Sequence, residues 1–89
     1  MPRISRFYGI TISMFFNEDF HPGKPHFHAE YAGAKASFEI ARLRCLAGGL
    51  PPGAGKMVKR WAREHEAELM ANWERARNHQ PLESIDPLG

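Results

Sequence analysis

Two imidazoles and a carboxylate, His26, His28 and Glu30, alternate along Pro25-His-Phe-His-Ala-Glu-Tyr31. On an extended strand that spacing sends all three side chains to one face. Imidazole and carboxylate are donors that a divalent zinc, nickel or iron ion accepts, and His21, just upstream, would add a fourth ligand. The same histidines could serve as general acid or base, since an unperturbed imidazole titrates near neutrality. A plainer reading stands beside these. His-x-His is also what the solvated face of an antiparallel hairpin looks like, with Lys35 placed to pair with Glu30 across it.

A second group is cationic. Lys56, Lys59, Arg60 and Arg63 fall at i, i+3, i+4 and i+7, one stripe of a helix opposite its apolar face. Placed in the first turns, they oppose the helix dipole, which favours acidic residues there. Cations held in that position suit an anionic partner, RNA phosphate or an acidic protein. The alternative is a solvated face eased by an Arg60–Glu64 pair at i, i+4. His65 and Asn72 sit within the apolar stripe of that helix, among Val58, Trp61, Leu69 and Ala76. They are predicted to be structural polar core residues that bond to the backbone of a docked loop or tail, because unsatisfied buried polar groups cost about 1–3 kcal/mol each. Gly53-Ala-Gly-Lys56 is not a phosphate loop, because Leu50 and Met57 stand where that motif needs Gly and Ser or Thr. Cys45 has no motif around it and reads as a small core residue.

The elements that must position these groups follow from periodicity. Ile10, Ile12, Met14 and Phe16 alternate with Thr11 and Ser13, which predicts a strand over residues 8–16. Asn17 to Pro25 is rich in turn residues and reads as a loop. Strands over 25–31 and 34–41 flank Ala32-Gly33, a tight hairpin turn in which Gly33 takes a positive φ. That loop sets Phe27 opposite Phe38 and Ala29 opposite Ala36 on one side, and His26 opposite Glu39, His28 opposite Ser37 and Glu30 opposite Lys35 on the other. Residues 42–55 read as a strand end running into a connection. A helix over 54–78 follows, with a bend or break near His65-Glu66, because an unbroken helix of that length overreaches a three-stranded sheet. The expected fold is α+β, a three-stranded antiparallel sheet with the long helix on its apolar face.

Composition bounds the rest. The chain has 89 residues, 43% of them hydrophobic, which fits one domain with one core. One cysteine cannot form an internal disulfide, no apolar run reaches signal-peptide or membrane-spanning length, and the expected location is the cytoplasm. The net charge of +2 is small, but residues 42–77 carry eight Lys or Arg against four Glu, so the positive charge is concentrated around the helix.

Four segments taken together, Met1-Pro-Arg-Ile-Ser-Arg-Phe-Tyr-Gly-Ile10, Pro25-His-Phe-His-Ala-Glu-Tyr31, Trp61-Ala-x-x-His65-x-x-Glu68-Leu69 and Asn72-Trp73, with a closing Ile85-Asp-Pro-Leu88, resemble the bacterial family called domain of unknown function 4160. That family usually reaches its histidine pair through a short Asp-His-x-Pro-Pro run. Here Asp19-Phe20-His21-Pro22-Gly23-Lys24-Pro25 is longer. The resemblance implies bacterial origin and a candidate component of a toxin–antitoxin module, with a cognate protein of the domain of unknown function 2442 type as partner. Two functions follow as expectations. One is a protein- or RNA-binding component of such a module, working through the basic stripe. The other is a small metal- or histidine-dependent enzyme using His21, His26, His28 and Glu30. The first needs only surface charge, whereas the second also needs a pocket.

Overall fold

The computed structural model describes residues 3–15 and 24–89. Five strands come first, β1 (Arg3–Phe7), β2 (Ile10–Ser13), β3 (His26–Tyr31), β4 (Ala34–Glu39) and β5 (Cys45–Gly48), followed by the helices α1 (Pro52–Glu64) and α2 (Glu66–Arg77). The strands form one antiparallel meander in the order β1-β2-β3-β4-β5. The fold is α+β as expected, with five strands in place of three and two helices in place of one.

Each difference has a local cause. Of the strand expected over 8–16, Ile10–Ser13 is β2, and an unexpected strand, β1, precedes it, because Tyr8 (φ 50°) and Gly9 (φ 79°) turn the chain tightly between Phe7 and Ile10. Positive φ at both central residues matches the twist of the flanking strands. Ala32 (φ 49°) and Gly33 (φ 86°) do the same between β3 and β4. Within residues 42–55, expected to be a strand end running into a connection, β5 is a separate strand that pairs with β4 through a register shift between Ser37 and Phe38. Gly48 (φ 71°) permits this, since a Cβ there would run into the Lys35 carbonyl, the group that accepts from Gly49 N at 3.0 Å.

The β3–β4 register is the expected one, with Phe27 opposite Phe38, Ala29 opposite Ala36, His26 opposite Glu39, His28 opposite Ser37 and Glu30 opposite Lys35. One face carries the apolar core, in which Ile10, Ile12, Phe27, Ala29, Ala36 and Phe38 are buried. Helix α1 contributes Val58, Trp61 and Ala62 to that core. The Trp61 ring lies 5.4 Å from Phe7 and 6.1 Å from Phe27, in the tilted and edge-on geometries aromatic pairs favour.

Two prolines, Pro51 at the N-cap and Pro52 in the first turn, start α1 with a preset φ. The helical run stops at His65 (φ −124°, ψ 27°), and α2 restarts with Glu66 and Glu68 in its first turn and Arg75 and Arg77 in its last. That charge order suits the dipole of α2. The C-terminal tail then returns along β1. Ile85 N donates to Ile4 O at 2.8 Å, Trp61 Nε1 donates to Asp86 O at 2.7 Å, and Ile85 and Leu88 are buried. Among the described residues, no helix is long and apolar enough to cross a membrane.

Candidate functional site

The polar face of the sheet is ordered in rows. Ser13, His28, Ser37 and Ala47 stand opposite one another across β2 to β5, and Thr11, Glu30 and Lys35 form the neighbouring row. Small side chains in the first row leave a pocket of about 200 Å³, lined by Ser13, His28, Glu30, Lys35, Ser37 and Gly48 among others. His28 shares a 3.1 Å hydrogen bond with Ser37 Oγ through Nδ1, and Phe15 stacks on its ring at 4.5 Å. The imidazole is therefore fixed in orientation. Ser37 is only 4% exposed, so its hydroxyl is better placed to orient the ring than to attack a substrate. Glu30 and Lys35 oppose one another in register without forming an ion pair.

His26 does not share that solvated setting. It is 0% exposed, its Nδ1 donates to the Lys24 carbonyl at 2.8 Å, and its ring lies 5.0 Å from Trp73 of α2. His26 packs inward against Trp73 with its ring 5.3 Å edge-on from that of His28, while His28 is also held by Ser37 and Phe15, and Glu30 is exposed. Among the described residues, no three His, Cys, Asp or Glu side chains converge to hold a metal ion. His21 lies outside the described residues.

On α1, Lys56, Arg60 and Arg63 are exposed and Lys59 is half-buried. Arg60 Nε lies 3.8 Å from Glu64 Oε2, the i, i+4 pair expected, and both side chains are exposed. Lys56, Lys59 and Arg63 form no ion pair among the described residues. The helix break changes the dipole argument, because Arg63 now falls in the last turn of α1, where a cation is favoured. The stripe thus leaves three of its four cations, all on one helix, without an ion-pair partner among the described residues. Beside it, between α1 and β5, lies a second cavity of about 290 Å³ lined by Phe38, Cys45, Leu50, Gly55, Lys56 and Lys59 among others. Cys45, expected in the core, is exposed at this edge, with weak thiol contacts to the carbonyls of Ala47 (3.4 Å) and Gly48 (3.5 Å).

Asn72 is the buried structural polar residue expected. Its Nδ2 donates to Glu83 O at 2.8 Å, and its Oδ1 accepts from Glu83 N at 3.0 Å and from Arg75 Nη1 at 2.9 Å. His65 is placed differently. Its side chain is 15% exposed, its Nδ1 donates to Glu68 Oε1 at 2.6 Å, and its ring rests 5.5 Å from Trp61. It holds the joint between the helices and makes no bond to the tail.

The family model described as Domain of unknown function (DUF4160) matches residues 9–74. The chain belongs to this family. No curated protein and no solved structure matches it. The DUF4160 match includes the His28 row and the basic face of α1, while β1 and the tail clamped by Asn72 fall outside it. Ser13, Ser37 and Gly48 were not singled out from the sequence. The β3–β4 register already placed Ser37 opposite His28, whereas Ser13 and Gly48 become visible only once β2 and β5 are in the sheet.

Proposed function

We propose that this DUF4160 domain is the binding component of a bacterial toxin–antitoxin type module, acting in the cytoplasm and engaging an anionic partner through the basic face of α1. The counterpart is a cognate protein of the domain of unknown function 2442 type or RNA. The observation that supports this reading is the exposed, mostly unneutralised set Lys56, Arg60 and Arg63 on one short helix. An exposed ion pair such as Arg60–Glu64 holds its partners by about 0–1 kcal/mol, so that arginine exchanges readily onto a stronger anion. Replacing Lys56, Lys59, Arg60 and Arg63 with Gln should leave the fold intact and weaken partner capture from bacterial lysate several-fold, and capture by the wild type should fall as salt rises. Equal, salt-insensitive recovery by both proteins would reduce the stripe to a solvated surface.

A small histidine-dependent enzyme is the second reading, favoured by the 200 Å³ pocket beside the oriented His28. A divalent metal there would need His21, since no three described donors converge. Titration with zinc, nickel and iron, followed through histidine chemical shifts, separates the two readings. Stoichiometric perturbation of His28 would favour the enzyme, and unmoved resonances would remove the metal from it.

A further inference from the structure

The two edges of the sheet are finished differently. At β1 the tail crosses the edge and Ile85 N bonds to Ile4 O, so part of that edge is occupied. At β5 no strand follows among the described residues, and Cys45 and Gly48 are exposed with Leu46 and Ala47 half-buried between them. An edge strand presents unpaired N–H and C=O groups that a further extended segment can complete. β5 has only four residues and a register shift, devices that discourage indiscriminate edge pairing. Selective capture of a strand would therefore need side-chain contacts beside the edge, and the 290 Å³ cavity between β5 and α1 supplies them. Its lining includes the apolar Phe38 and Leu50, and Lys56 and Lys59 also line it with no ion-pair partner among the described residues.

We propose that β5 and this cavity together dock an acidic, extended segment of a partner protein, which adds as a sixth strand, sets an apolar side chain beside Leu50, and meets Lys56 and Lys59 with carboxylates. Main-chain bonds supply affinity in such strand addition, and pockets for alternate side chains supply specificity. The charge argues against a second copy as occupant, because pairing two β5 edges would bring two sets of Lys56 and Lys59 together. Double-stranded nucleic acid cannot complete a β-ladder. The inference rests on the reading of α1 as a surface for an anionic partner and specifies how that partner is held.

The probe is a short end-blocked peptide of alternating glutamate and valine, titrated into the full chain and followed through backbone amide shifts. Saturable shifts at Leu46, Ala47 and Gly48 and near Lys56 and Lys59, with the amides of β1 unmoved, are the expected result. A proline in the middle of the peptide should abolish binding by removing a ladder donor. Lys56→Gln with Lys59→Gln should weaken it several-fold, and an alternating lysine and valine peptide should not bind. Four results would overturn strand addition: no peptide binding, equal binding of the proline peptide, shifts confined to α1, or dimerisation of the protein through β5 in light scattering. A single-stranded RNA probe separates this from the broader reading. RNA binding lost on substituting Arg60 and Arg63, with no peptide binding, would refute strand addition and leave the anionic-partner reading standing.

Discussion

Replacing Asn72 with Ala tests whether the tail is part of the folded unit. The side chain is 1% exposed and makes three hydrogen bonds, two to the backbone of Glu83 and one with Arg75. At about 1 kcal/mol net for each bond, their loss amounts to about 3 kcal/mol. Part of the gap can rehydrate, because these contacts are only partly buried, and the rest leaves the Glu83 amide and carbonyl short of partners. A loss of about 2–3 kcal/mol is the expected outcome. Asn72→Asp keeps the acceptor for Glu83 N and Arg75 but removes the donor to Glu83 O, so it should cost less than Ala, with Arg75 offsetting the added charge. Urea denaturation reads both, as a fall in midpoint at unchanged slope. Limited proteolysis should show the Ala variant cut earlier between α2 and Ile85. An Ala variant within about 0.5 kcal/mol of wild type, the range of ordinary surface substitutions, would refute the clamp.

Phe27→Ala or Phe38→Ala should each cost about 3–5 kcal/mol in the same assay. His26→Ala should cost well over 1 kcal/mol, since it empties a fully buried site against Trp73 and orphans the Lys24 carbonyl, while Glu30→Ala should be close to neutral; equal effects of the two would show that the polar face is misread. Gly48→Ala should selectively loosen β5, because the added Cβ meets the Lys35 carbonyl at a positive φ. Faster amide exchange at Gly49 and the β5 amides than at β2 would confirm it, and an unchanged pattern would refute the close approach.

The β3–β4 hairpin was legible because two strict alternations meet at a glycine turn, and its register fixes six pairs at once. The Tyr8-Gly9 turn uses the same chemistry, yet it lies between apolar residues and was read as strand. Strand β5 was not legible, since Cys45-Leu46-Ala47-Gly48 has no alternation and its pairing depends on a backbone approach that only Gly48 permits. The break at His65 was anticipated from length alone. Its placement follows from Glu66 and Glu68 opening a new helix and Glu68 binding His65 Nδ1. The candidate site divides the same way. Local spacing put His26 and His28 on one face, but only a tertiary partner, Trp73, buries the first and leaves the second beside the pocket.

The seam between the tail and the helices is read almost entirely through main-chain atoms. Trp61 takes the carbonyl of Asp86, Asn72 takes both backbone groups of Glu83, and Ile4 takes the amide of Ile85. Apart from the ion pair between half-buried Arg75 and exposed Glu83, worth about 0–1 kcal/mol, the side chains at 83 and 86 add nothing to it that the structure displays. Tail sequence is therefore free to drift at those positions while Ile85 and Leu88 keep their apolar anchors. The burden of specificity rests on the helix side, where Trp61 supplies an indole donor and Asn72 supplies donor and acceptor together. Among homologous chains, tails of little mutual similarity could fit the same seat, and the trace of a docked tail would be written in the tryptophan and asparagine that receive it.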